Sequence, residues 1–225
     1  MLSVSMKYPG EVWTSTPTII PQRPTLDNYM FVWEKTPVPR FFLNSAIVAL
    51  LTTLLCTSVA IITAYPITRL KIRGGGTLSG WLLLTQMLPP TLLVIPLYLI
   101  ILTLNLMNTY GALVLSYTCF ALPFSILMLG SYFDGIPQDL EDAAMTDGCS
   151  RTGALFRVLI PVSIPGIVAV ASFVFISSWA EFVYALTFIR TETMRTLPAG
   201  IFYFVGMERI EWGPAMASAV IASLP

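Results

Sequence analysis

Residues 41–65 read FFLNSAIVALLTTLLCTSVAIITAY, with no Asp, Glu, Lys or Arg among them. A helix of roughly 20 predominantly apolar residues is long enough to cross the hydrocarbon core of a bilayer. Burying that much apolar chain in a soluble core would leave no polar face for water. This stretch therefore predicts a membrane-spanning helix.

Further apolar stretches follow along the chain. Residues 78–104 and 110–133 carry no charge, and residues 164–189 carry only Glu181. A last apolar stretch begins at Pro214 and reaches the end of the sequence at Pro225. The sequence thus predicts an all-α, polytopic membrane helix bundle with four full spans and the start of a fifth. We expect the chain to be truncated at both ends.

The composition agrees with a membrane protein and argues against an enzyme. Apolar residues make up 56% of the chain and charged residues 11%, with a formal net charge of zero. Soluble domains average about 45–50% apolar and about 25% charged residues. Without histidine, the chain lacks the commonest general base and metal ligand. We expect contact with membrane lipid, no nucleic acid partner, no metal and no cofactor.

Basic residues in the connections predict the orientation of the spans. Arg69, Lys71 and Arg73 lie in the first connection, and Arg151 and Arg157 lie two connections later. Connections on the cytoplasmic side are enriched in Lys and Arg. Both connections are therefore predicted to be cytoplasmic. The charged, aromatic segment 1–40 then becomes an extracytoplasmic segment that lies against the membrane surface.

The long connection 134–166 reads DGIPQDLEDAAMTDGCSRTGALFRVLIPVSIPG. Pro137 followed by several acids is typical of a helix start, and Gly148 is placed to end that helix. A second amphipathic segment, 152–160, brings Leu155, Phe156 and Leu159 to one face. Periodicity alone does not distinguish a functional contact surface from a hairpin that only shields the ends of the spans.

Glu181 is the one ionisable residue inside a predicted span. Holding a charge at the bilayer centre costs about 2.5–3.5 kcal/mol on insertion scales, so its side chain should face protein or water. With Trp179 and Tyr184 it resembles a sugar site, in which aromatic rings stack and a carboxylate binds hydroxyls. The alternative that we favour is a polar clasp between helices, with Ser177 and Ser178 within helical reach.

The glycine run 74–77 is not a nucleotide site. A Walker A loop needs a lysine before its Ser or Thr, and Gly76 precedes Thr77 here. Any ATP that drives this chain must be hydrolysed by a partner.

The connection 134–165 resembles the EAA loop of bacterial ABC importer permeases, a pattern of E-A-A, three residues, G, nine residues and I-x-L-P. Here it reads Asp142-Ala143-Ala144, Gly148 and Val158-Leu159-Ile160-Pro161, with every spacing kept. The strings PTLDNY, AYPITRLKIRG and SSWAEFVYALTFI are similar to the carbohydrate, maltose-type branch. One departure is Ala180, where that branch usually has Asn.

The resemblance implies a permease domain over residues 41–225, which forms half of the translocation path for a sugar or oligosaccharide. It also implies an ABC ATPase subunit dimer, a second and non-identical permease, and an extracytoplasmic solute-binding protein. In this family a first span precedes a segment such as 1–40. The residues implied in ATPase coupling are Glu141, Asp142, Ala143, Ala144, Asp147, Gly148 and Pro161.

An ion-gradient-driven secondary transporter is the alternative. That class commonly shows internal repeats and discontinuous helices around buried ion sites. This sequence has no convincing repeat and a single acid within its predicted spans, which favours the ATP-driven importer.

Overall fold

A computed structural model of the chain describes residues 1–13, 19–204 and 211–225, and these ranges are nearly all helical, with no β-strand. The chain divides into two compact units. Unit 1 comprises residues 1–48, 100–113 and 179–225, and unit 2 comprises residues 49–99 and 114–178. The α-helices are α1 Leu2–Ser5, α2 Pro9–Val12, α3 Asp27–Lys35, α4 Val38–Thr68, α5 Gly75–Gln86, α6 Val94–Thr103, α7 Tyr110–Asp134, α8 Asp139–Thr146, α9 Arg151–Ala154, α10 Ile160–Val162, α11 Ile164–Trp179, α12 Val183–Phe188, α13 Leu197–Gly200 and α14 Trp212–Ala222.

Two of the predicted spans are confirmed as long continuous helices. α4 and α7 have 31 and 25 residues and are apolar enough to cross a membrane. Pro66 and Pro123 lie inside these helices without ending them. In a spanning helix, neighbouring helices and local adjustments satisfy the backbone groups that a proline frees.

The predicted span 78–104 is bent rather than straight. α5 ends at Gln86, a 3-10 turn covers Pro90–Leu93, and the two arms meet at 94°. Pro90 lacks the N–H that would continue the helix, and its ring clashes with the preceding turn. Pro96 is tolerated because it lies in the first turn of α6, where an N–H has no partner to lose.

The prediction of one continuous helix over residues 164–189 is wrong. α11 ends at Trp179, residues 180–182 are not helical, and α12 begins at Val183. At its start, α11 forms a pair bent by 76° with the helical segment Arg151–Val162. Among the residues that the structure describes, the straight helices and the bent pairs account for up to four membrane crossings, by length and composition.

Small side chains let α4 approach its neighbours closely in unit 2. Cys56, Ala60 and Ala64 of α4 are fully buried in a core shared with α7, α11 and the segment around Leu155. Small residues are favoured at helix contacts in membranes, where packing rather than hydrophobicity drives association. Fully or almost fully buried partners in this core include Leu129, Phe133, Leu159, Val170 and Val174.

Unit 1 gathers the short N-terminal helices against α14. The buried Asn28 side chain donates to the carbonyl oxygens of Ser5 and Lys7, both at 2.9 Å. Gly213 packs so closely that a Cβ there would lie 2.7 Å from Asn28 Oδ1. The apolar stretch predicted from Pro214 is thus part of α14, which begins at Trp212.

Candidate functional site

The α8 helix is the first element of the candidate site, and both of its ends carry clear local signals. Asp139, Glu141 and Asp142 lie in its first turn, where negative charge is favoured by the helix dipole. At the other end Gly148 adopts φ +87°. Its N–H donates to Met145 O at 3.1 Å, and the next N–H, of Cys149, donates to Ala144 O at 3.0 Å. This pair of bonds is a Schellman motif.

Most of the residues that the family pattern marks for coupling lie at the surface. Large apolar side chains are exposed there too, since Leu140 in α8 is 43% exposed and Phe156 is 61% exposed. Two exposed apolar side chains do not by themselves mark a contact surface, but they leave apolar area available to a partner. The exposed pattern residues are Asp142, Ala143, Asp147, Gly148 and Pro161, with Ala144 partly exposed.

Glu141 differs from its neighbours because it points into unit 2. Its Oε1 lies 2.6 Å from Arg69 Nε, and both side chains are only 7% exposed. The Tyr65 hydroxyl donates to the other carboxylate oxygen at 3.1 Å. Glu141 is therefore held inside unit 2 by Tyr65 of α4 and by Arg69, which directly follows α4.

The same two residues also bind the backbone on either side of α8. Arg69 Nη1 donates to Ile136 O at 2.9 Å, just before the helix. The one proton of the Tyr65 hydroxyl is shared between Glu141 Oε2 at 3.1 Å and Arg151 O at 3.3 Å, just after the Gly148 turn. These contacts place the connections 69–73 and 134–161 on the same side of unit 2, as the charge pattern predicts.

Sequence reasoning missed Tyr65 and Arg69 as members of the site. Arg69 entered only as one of the basic residues that orient the spans, yet its side chain is buried in an ion pair. The available signal was the string AYPITRLKIRG, which resembles the family and contains both residues.

The second segment of the loop is helical but packs differently from its prediction. Ser150 Oγ caps α9 by accepting the Gly153 N–H at 3.1 Å. Leu155 and Leu159 are buried as expected, whereas Phe156 is exposed. Residues 155–159 form a π turn, whose wider spacing removes Phe156 from the face that an α-helix would give.

Glu181 lies in the break between α11 and α12 rather than within a helix. Its carboxylate oxygens accept the backbone N–H groups of Tyr184 at 3.0 Å and of Ala185 at 3.2 Å. These donors belong to the first turn of α12, where N–H groups have no helical partner. The predicted helical spacing to Ser177 and Ser178 therefore does not hold, and the acid caps a helix.

The aromatic residues on either side of Glu181 are packed within unit 1. Trp179 Nε1 donates to Ala222 O at 2.9 Å, and its ring meets Phe42 edge to face at 5.1 Å. Tyr184 is 2% exposed and packs against Phe188. A cavity of about 380 Å³ in unit 1 has Trp13, Trp212 and other residues in its lining, but none of Trp179, Glu181 and Tyr184.

Comparison with known proteins identifies the family. Residues 56–225 match the family described as binding-protein-dependent transport system inner membrane component. The sulfoquinovosyl glycerol transport system permease protein of Agrobacterium fabrum is 38% identical over all of this chain and 79% of that protein. The trehalose/maltose transport system permease protein of Thermococcus litoralis is 37% identical, over 92% of this chain and 76% of that protein.

A solved structure has the same fold. The crystal structure of a bacterial ABC transporter that imports the acidic polysaccharide alginate aligns with a TM-score of 0.82. The alignment covers 98% of this chain and 81% of that chain, at 19% identity. This chain therefore belongs to the binding-protein-dependent transport system inner membrane component family, as a permease subunit of an ABC importer whose ATP is hydrolysed by a partner ATPase.

Proposed function

We propose that this permease forms half of the translocation path for a sugar or short oligosaccharide delivered by an extracytoplasmic binding protein. Its relatives support that substrate class through their names, which specify sulfoquinovosyl glycerol, trehalose or maltose, and diacetylchitobiose. The other half of the path is a second, non-identical permease. Segment 1–40 is extracytoplasmic, and the connection 134–165 is cytoplasmic.

The single observation that carries the coupling role is the exposed surface of α8. Asp142, Ala143 and Asp147 are exposed along a short helix that ends in a tight glycine turn. A short helix with small residues on its exposed side fits a groove on a partner, and its carboxylates pair with basic groups there. We propose that α8 docks in such a groove on the ATPase, with Leu140 and Phe156 adding apolar contact.

Closure of two ATPase subunits on ATP would then displace the docked α8 of each permease. The displacement reaches the substrate path only if α8 is firmly joined to the spans. Pro161 contributes to this because its ring restricts the backbone of α10, just before α11.

The residues around the break at 180–182 have structural roles in this proposal. Glu181 caps α12, Trp179 binds the end of α14, and Tyr184 is buried against Phe188. Each of the three side chains thus has a contact within the protein that explains its position, and none of them needs a bound sugar to explain it.

The test is to purify the tagged permease from its native membrane and reconstitute the complex in liposomes. We expect an ATPase and a second permease to co-purify. We expect ATP-dependent uptake of at least one solute among maltose, trehalose, diacetylchitobiose and sulfoquinovosyl glycerol when the binding protein is present. Uptake by the permease alone, driven by an ion gradient without ATP, would refute the proposal and favour a secondary transporter.

Replacing Asp142 with Lys tests the docking surface directly. The exposed side chain has no partner among the contacts described for α8, so Lys should weaken only the first turn of that helix, where the dipole favours an acid, while the reversed charge should repel the basic groups of the ATPase groove. We expect loss of ATPase co-purification with normal membrane insertion. Asp134→Lys, an exposed acid outside α8, is the matched control. Equal recovery of the ATPase with both variants would contradict docking through α8.

A further inference from the structure

We infer that Tyr65, Arg69 and Glu141 form an internal anchor that makes α8 move as one body with the cytoplasmic end of α4. This inference rests on the proposed docking of α8 on an ATPase. It assigns to Tyr65 and Arg69 a positioning role in energy coupling, and it separates Glu141 from the exposed residues of the docking surface.

The anchor contacts α8 at one residue and the chain on either side of α8 at two others. Arg69 binds the carbonyl of Ile136 before the helix, and Tyr65 binds the carbonyl of Arg151 after it. Between these two positions, Glu141 in the first turn of α8 contacts Tyr65 of α4 and Arg69, which directly follows α4. Contacts to the first turn of α8 and to the chain on both sides of it oppose rotation as well as translation of the helix, whereas one contact would leave a pivot.

The segments that flank α8 would not transmit force by themselves. Gly135 lies before the helix, and Gly148 with φ +87° lies after it. Glycine restricts the backbone less than other residues do, so a pull that breaks the turn hydrogen bonds at Gly148 would let each connection act as a hinge. Without the anchor, a pull on α8 would be absorbed by these hinges instead of moving α4.

Burial of the ion pair supports a geometric role rather than a contribution to stability. Taking two charges out of water carries a desolvation penalty that their attraction often fails to exceed. An apolar pair at positions 69 and 141 would leave the folded state at similar or lower free energy, but it would not fix the orientation of α8 relative to α4. The Arg69–Glu141 ion pair, the Arg69 hydrogen bond to Ile136 O and the Tyr65 hydrogen bond to Glu141 Oε2 together favour one placement of α8 relative to α4.

The experiment uses the complete importer in liposomes, with ATPase, both permeases and binding protein. The solute is whichever of maltose, trehalose and diacetylchitobiose the unmodified importer accumulates. Tyr65→Phe removes only the hydroxyl, and Glu141→Gln removes only the charge. Arg73→Gln is the matched control, because Arg73 is an exposed arginine in the same connection as Arg69.

For Tyr65→Phe and Glu141→Gln we expect normal recovery of the ATPase, because the docking surface is intact. ATP consumed per molecule of solute imported should rise about tenfold, a change typical of the coupling between two sites. Amide hydrogen exchange in α8 should also become faster, and this readout requires no solute. Arg73→Gln should match the unmodified importer in both measurements.

A double variant tests the anchor even if a single charge change prevents folding. Arg69→Met with Glu141→Met leaves no uncompensated buried charge, so the complex should assemble. We expect it to remain uncoupled because the directional contacts are gone. Restored coupling in the double variant, or unchanged ATP consumption per solute in Tyr65→Phe and Glu141→Gln, would overturn the anchor.

Failure of the anchor is distinguishable from failure of the proposed function. If the unmodified permease recovers no ATPase, docking itself is wrong. If the ATPase is recovered and ATP drives uptake, but the anchor variants behave like Arg73→Gln, only the anchor is wrong.

Discussion

The turn at Gly148 offers a sharp test of how local backbone geometry supports transport. Gly148 has φ +87°, and a Cβ built there would meet no heavy atom within 4 Å. Substitution therefore costs backbone strain without a steric clash. In the left-handed region, the backbone energy of a residue with a Cβ is higher by roughly 1–2 kcal/mol. That penalty lowers the population of the turn about 5- to 30-fold relative to its alternatives.

We therefore predict that Gly148→Ala reduces uptake per assembled importer, because α8 loses its Schellman end and its docking surface is displaced. Gly148→Asn should retain much more activity, since Asn tolerates the left-handed conformation. Uptake into liposomes and recovery of the ATPase measure the effect. The free energy of unfolding should fall by no more than this strain, roughly 1–2 kcal/mol, because the exposed turn makes no packing contact that a Cβ would disturb.

Gly80→Ala is the matched control. Gly80 also has open space around its Cβ position, but it lies within α5, where alanine is favoured over glycine by roughly 0.5–1 kcal/mol. The same chemical change should thus be neutral or stabilising there. Equal uptake for Gly148→Ala and the unmodified protein, or an Asn variant no better than the Ala variant, would refute the reasoning.

Three further predictions concern stability and are measured by thermal unfolding of the purified permease in detergent. Asn108 Oδ1 accepts the backbone N–H groups of Arg190 and Thr191, so Asn108→Ala should cost about 1–3 kcal/mol, whereas Asn108→Asp, which keeps the acceptor, should cost less. Glu181→Ala should lower the free energy of unfolding by about 1 kcal/mol, because α12 loses its cap; an unchanged free energy of unfolding would contradict that role. Gly166→Ala should lower the free energy of unfolding by about 1–3 kcal/mol, because its Cβ would lie 2.5 Å from Tyr132 Cγ. Adding Tyr132→Ala to the same chain should relieve this clash.

The long spans could be predicted because a lipid environment imposes a simple requirement on sequence. A crossing helix needs a long apolar run, and residues 41–65 and 110–133 satisfy that requirement without reference to any other part of the chain. α4 and α7 cover both runs. The turn at Gly148 was also predictable, since the end of a helix depends on a few neighbouring residues.

Breaks within apolar runs were harder to locate. Hydropathy continues through residues 180–182 although the helix does not, because apolar composition measures compatibility with lipid and not backbone conformation. Pro89, Pro90 and Pro96 favour a distortion of the helix over residues 78–104, but they do not specify a bend of 94°. The angle depends on what each arm packs against.

The sequence by itself determined that this chain is an α-helical membrane protein with a loop that matches a family pattern. Both properties follow from composition and short-range spacing. Only the tertiary structure decided which acid of that loop faces inward. Asp139, Glu141, Asp142 and Asp147 are similar in type and close in sequence, and only Glu141 is buried. The choice depends on Arg69 and Tyr65, which are distant in sequence and reach the loop only because α4 packs beside α7 and the loop segment around Leu155 in the core of unit 2.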